Sequence, residues 1–158
     1  MLSNLEQLQD YKEKIAYLLL SSDEIVETLT EGTSYKKYDD LFYKLIFPYR
    51  RDFSMETEAA SYIMYEITNN SLHDNDYWKT CRITFYIVVH NSLLHTELHG
   101  VRTDYLASQI DKIFNNNAEF GFGKLQFVND TANALDQRYY YRTNIYKVVD
   151  SNNSPCKR

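Results

Sequence analysis

Cysteine, glycine and proline are all scarce. Two cysteines, Cys81 and Cys156, make neither a disulfide framework nor a zinc set, which points to a reducing compartment. Four glycines and two prolines argue against collagen, long flexible linkers and a sandwich of many short, turn-linked strands. No run approaches the ~18 uncharged apolar residues of a membrane helix. The longest β-like run, residues 83–89, is far shorter. The first residues, Met1-Leu2-Ser3-Asn4-Leu5-Glu6, have no basic stretch ahead of an apolar one, so no secretory leader is expected. What remains is the composition of a soluble globular chain, 44% hydrophobic and 25% charged, with the length of one domain.

Two features of that composition stand out. The net charge is −5, but residues 1–120 hold 11 basic and 19 acidic side chains, whereas residues 121–158 hold 6 and 3. Such a bipolar chain can join acidic to basic faces of neighbouring copies. Aromatic residues are plentiful, with 15 Tyr and 8 Phe. Tyrosine suits surfaces that become buried on assembly, and equally a core whose hydroxyls reach solvent. Asparagine clusters at 69–70, 115–117 and 152–153 mark turns.

Periodicity predicts an α+β domain. Leu5, Leu8, Tyr11, Ile15, Leu18 and Leu19 recur at helical spacing, and Ser22-Asp23 can cap a second, short helix carrying Ile25, Val26 and Leu29. Residues 35–44 read as loop with a helical turn, and Pro48 implies an extended approach to the next element. Period two then sets in. Ile63, Tyr65 and Ile67 alternate with Tyr62, Met64 and Glu66, and Ile83, Phe85, Ile87 and Val89 alternate with Arg82, Thr84, Tyr86 and Val88. Two antiparallel strands, 59–68 and 82–90, joined by a polar loop at 69–76, are expected. Thr103 is the expected cap of a helix carrying Leu106, Ile110, Ile113 and Phe114, which the Asn run ends. A short strand at 124–128, a polar loop at 129–137 and a last strand at 138–149 complete the series. The expectation is one domain over 1–158: a helical segment at 1–34, a core at 35–150 with helices on one face of a mainly antiparallel four-stranded sheet, and a polar tail at 151–158.

No constellation announces a catalyst. His95, Glu97 and His99 lack the HExxH order and a third ligand, so they read as surface residues, and no metal or cofactor is expected. Gly121-Phe122-Gly123 has neither the third glycine of a dinucleotide loop nor a GK[ST], and reads as a tight turn into a strand. Cys81 has no paired His, there is no GxSxG elbow, and Asp39-Asp40 and Asp74/Asp76 fall in polar segments. The chain is not expected to be an enzyme. Arg138, Tyr140, Arg142 and Tyr146 share one side of the last strand. They could stack and hold a single-stranded nucleic acid, or meet a neighbouring protein subunit.

Two segments bring a known family into view: Gly100-Val101-Arg102-Thr103-Asp104-Tyr105-Leu106, leading a helix through Ile110-Asp111, and Phe120-Gly121-Phe122-Gly123-Lys124-Leu125, leading a strand. With Ile46-Phe47-Pro48-Tyr49 and the hairpin that follows, residues 40–150 resemble the neck and tail-terminator proteins of tailed bacteriophages. The resemblance implies an α+β virion subunit, assembled in the host bacterial cytoplasm, that closes into a ring, typically of six. Its partners would be further copies of itself, the tail tube protein and the head connector or stopper, with DNA passing through the lumen and no membrane. The family has no catalytic residues to carry over. An adaptor or stopper of the same neck is the nearest alternative, and a single-stranded nucleic-acid-binding domain a more distant one. The helical segment at 1–34 is less typical of the family.

Overall fold

The computed structural model describes residues 3–53, 56, 58–72, 75–97 and 99–152. Asp74, Cys156 and tail residues 153–158 lie outside them. Helix α1 (Asn4–Leu20) opens on a capping box in which the Ser3 hydroxyl accepts from the Glu6 amide and the Glu6 carboxylate accepts from the Ser3 amide. These bonds hold the Glu6 carboxyl below its usual pKa. Its buried face is Tyr11, Ile15, Ala16 and Leu19. Helix α2 (Asp23–Thr30) is capped by Ser22, as its sequence implied.

Next come β1 (Ile46–Phe47), β2 (Ser61–Leu72) and β3 (Asn75–His90), then a ribbon of β4 (His95–Thr96) and β5 (Gly100–Val101) leading directly into α3 (Arg102–Phe114). Strands β6 (Gln126–Ala134) and β7 (Tyr139–Ser151) close the chain. The main sheet has five strands, in the order β1-β2-β3-β7-β6. The fifth is β1, whose two residues pair in parallel with Ile63 and Met64. All other neighbours are antiparallel. The α+β class holds, with five strands rather than the expected four.

The helices cover one face. Ile63, Tyr65, Cys81, Ile83, Phe85, Ile87 and Val89 are fully buried there with Leu106, Ile110 and Phe114, and the rings of Phe85 and Phe114 lie 4.6 Å apart. The opposite face is partly covered by the segment after β1. Phe53 packs on Tyr62 at 4.3 Å, and Arg50 lies 4.8 Å over the ring of Tyr86. This second layer explains why Tyr62, Met64 and Val88 are buried as well, although alternation suggested a solvated side. Among the described residues no helix is long and apolar enough to cross a membrane.

Three expectations need correction. The supposed loop at 69–76 is largely strand, because Asn69, Asn70 and Ser71 pair with Cys81, Thr80 and Lys79. Most of the supposed loop at 129–137 is also strand, since 129–134 pair along β7. Thr103 does not cap α3. The helix begins at Arg102, behind an extended Val101 with no side-chain cap. Arg102 itself is buried and donates to the Thr28 and Glu31 carbonyls at 2.8 and 3.0 Å, which anchors the start of α3 to α2. The Asn run does end α3, with Asn116 in the left-handed region at φ 65°. Gly121, at φ 127°, passes so close to β7 that a Cβ would lie 2.9 Å from the Val149 carbonyl oxygen.

Candidate interaction surface

Strand β6 is the outermost strand on one side of the sheet, and each of its nine residues is exposed. Its sequence, Gln-Phe-Val-Asn-Asp-Thr-Ala-Asn-Ala, contains neither proline nor lysine, the usual guards of an open edge. Its only charge, Asp130, is taken up inside the chain by the Arg142 guanidinium, which also donates to Asp104 at 3.0 Å. A bulge at Val128 shifts the register once. The hairpin from β6 to β7 is closed by Asp136, whose carboxylate accepts from the Arg138 and Tyr139 amides at 2.6 and 3.0 Å. Those bonds hold the Asp136 carboxyl below its usual pKa. Phe127, Val128, Leu135 and Tyr140 expose apolar area along this margin.

The four residues singled out on the last strand have separate fates. Tyr140 is exposed, and Arg138 sits at the hairpin beside Asp136. Arg142 is largely spent within the chain, bridging β7 to α3 and to β6. Tyr146 is a core residue with no exposed area; its hydroxyl donates to Asp111 at 2.9 Å, and burial pushes its pKa up. The register shows why: Tyr146 pairs with Ile83, at the centre of the helix-covered face. Alternation puts Tyr140, Arg142 and Tyr146 on one side of β7, the middle of which lies beneath α3, whereas Arg138 precedes the strand.

The other leads do not converge. The ring of His99 stacks on Tyr105 at 3.9 Å beside an open cleft of about 340 Å³ that Glu24, Glu27, Glu31 and Glu97 also line. His95 is not part of that lining. Among the described residues no group of three or more His, Cys, Asp or Glu could hold a metal. Cys81 is free and buried, and burial pushes its thiol up to about 12, so it is not a nucleophile at neutral pH.

Sequence reasoning missed β6 as an edge, because Asn129-Asp130-Thr131-Ala132-Asn133-Ala134 is polar and poor in β-formers. The available signal was length: a strand as long as β7 needs a partner on both sides unless it is itself an edge. No curated protein matches the chain. The sequence does match the YomW family over residues 13–148, most of its length, and the chain belongs to that family.

Proposed function

We propose that the chain is a structural subunit of a phage neck: a tail terminator that closes into a ring, caps the tail tube and joins it to the head connector. The observation that carries this reading is the long, fully exposed edge of β6, free of proline and lysine, on an otherwise well-packed domain. Such an edge is an aggregation hazard in a free monomer and an asset in a subunit that works paired with neighbours. The phage resemblance over residues 40–150 supplies the setting, and the exposed aromatic margin adds contact area. The nucleic-acid reading loses support because Arg142 is paired within the chain and Tyr146 is buried.

The experiment is genetic and structural. A phage whose only copy of this gene is disrupted should yield filled heads and tails that fail to join, or tails of uncontrolled length, and a supplied wild-type copy should restore virions. Normal virions made without the protein would refute the proposal.

A further inference from the structure

We propose that the helix-free face of the sheet, at the start of β3 and the end of β7, binds single-stranded nucleic acid. Arg82, Lys124 and Lys147 hold its phosphates, and the rings of Phe122 and Trp78 meet its bases. The site lies apart from the β6 margin and does not rest on the ring reading.

Alternation along two strands builds the charged part. Cys81 and Ile83 are buried beneath the helices, so Trp78, Thr80 and Arg82 of β3 point to the opposite face. On β7 the buried Tyr146 and Val148 likewise send Lys147 and Val149 to that face. The segment after β1 packs on this face at Tyr62 and Tyr86, but Arg82, Lys147 and Val149 are exposed. The register sets Arg82 directly opposite Lys147, where like charges repel. Lys124 is exposed too, and with Lys147 it lines an open cleft of about 310 Å³. Thr80, Phe122, Gln126 and Val149 form other parts of its wall, and no Asp or Glu lines it. Among the described residues none of the three cationic side chains makes an ion pair or a hydrogen bond. Glu66, on the same face, accepts from the Tyr86 hydroxyl at 3.0 Å rather than from Arg82. In a chain of net charge −5, three cations gathered without a carboxylate partner mark a place for an outside anion.

The aromatic part is held in place. Phe122 donates its amide to the Val149 carbonyl at 2.9 Å, and Gly121 lies against β7 where no side chain would fit. Those contacts pin the loop, yet the Phe122 ring is 63% exposed, edge-on to Trp78 at 5.4 Å. Trp78 is itself 38% exposed. Fixed rings that face water beside three cations suit a ligand both aromatic and anionic, and a strand with unstacked bases has that chemistry. A duplex keeps its base faces stacked, and a polyanion without bases would engage the cations alone. Arg142 and Tyr146, weighed above for nucleic acid, lie on the other side of β7 and take no part.

Fluorescence anisotropy with a labelled oligothymidine of about 12 nucleotides, titrated across a salt series, tests the site. Each phosphate contact on a single strand contributes about 0.7 to the slope of log affinity against log salt, so three cations predict a slope of about −2. Lys124→Gln and Lys147→Gln should each reduce the slope by about 0.7. Phe122→Ala should weaken binding about tenfold and leave the slope unchanged, since it removes stacking rather than charge. Urea unfolding of the same proteins separates a ligand site from a structural one. Because Lys147 faces Arg82, Lys147→Gln should hold or raise the unfolding midpoint.

No binding at low salt, or binding that Lys124→Gln and Lys147→Gln leave unchanged, would overturn the site. Heparin or duplex DNA bound as tightly as the single strand would overturn the role of the rings and show a general anion surface. A clear drop in the midpoint of Lys147→Gln would assign the cations to the fold instead. A monomer that binds the strand would leave the site standing and refute the ring, and a ring that binds none would do the reverse.

Discussion

Lys79 and Asp150 form an ion pair beneath the start of α1, their side chains only 4% and 3% exposed and their charged atoms 4.0 Å apart. The ammonium also donates to Asn4 Oδ1 at 3.1 Å and Gln7 Oε1 at 2.6 Å. The carboxylate accepts from the Tyr11 hydroxyl at 2.9 Å and the Ser151 amide at 2.8 Å. The cluster therefore ties the first turns of α1 to the ends of β3 and β7. Removing one charge leaves the other buried without its counter-ion, which costs about 3–5 kcal/mol in comparable pairs. Lys79→Met should fall near the lower end, about 3 kcal/mol, because the Tyr11 and Ser151 donors continue to stabilise the carboxylate. With a urea slope of about 2 kcal/mol per molar, that lowers the unfolding midpoint by about 1.5 M. Asp150→Asn should cost a similar amount. The double variant should lose about 2 kcal/mol less than the sum of the two, since it strands no charge. Equilibrium urea unfolding of the four proteins measures this cycle. Single losses under about 1 kcal/mol that simply add would refute the view that these charges depend on each other.

Three further outcomes are expected. Ile87→Ala, at a fully buried position in the centre of the sheet, should destabilise by about 2–5 kcal/mol in the same assay; no measurable loss would mean that the helix-covered face is misassigned. Arg142→Glu should cost the monomer about 1–2 kcal/mol, because it opposes Asp104 and Asp130 instead of bridging them; an unchanged melting curve would return Arg142 to the free surface. Burial raises the pKa of the Tyr11, Tyr65 and Tyr146 phenols, so the fold favours their neutral forms, and their contribution is complete below about pH 10 and lost as pH climbs past it. Stability should therefore fall progressively as pH rises above about 10, with these tyrosines ionising only as the protein unfolds; phenolate appearing at constant stability would contradict this.

The strands that build the core were legible because both signals agreed. Ile83, Phe85, Ile87 and Val89 combine strict alternation with β-branched or aromatic side chains, and all four are buried. The stripe of Leu106, Ile110 and Phe114 was legible for the same reason at helical spacing. Elements whose existence depends on a distant partner were not. Two residues of β1 carry no period, and they become a strand only because β2 runs beside them in parallel. Strand β6 is held by its ladder to β7 rather than by its own composition, so a polar run that read as loop became the most open edge of the molecule. At the candidate surface, alternation grouped Arg138, Tyr140, Arg142 and Tyr146, but Arg138 precedes β7, and alternation could not show how far along the strand the cover of α3 extends. That depends on the packing of α3, which leaves Tyr140 outside and puts Tyr146 inside. The capping role given to Thr103 failed for a similar reason: buried Arg102, tied to the end of α2, sets where the helix starts.

The mass of the wild-type protein in solution, measured across a dilution series and paired with electron images of the particles, tests the central claim most directly. The account predicts one closed species, a whole-number multiple of the single chain, that appears as a ring with an open lumen and falls apart to monomer on dilution. A protein that remains a monomer at every concentration, or stops at a dimer with no lumen, would contradict it.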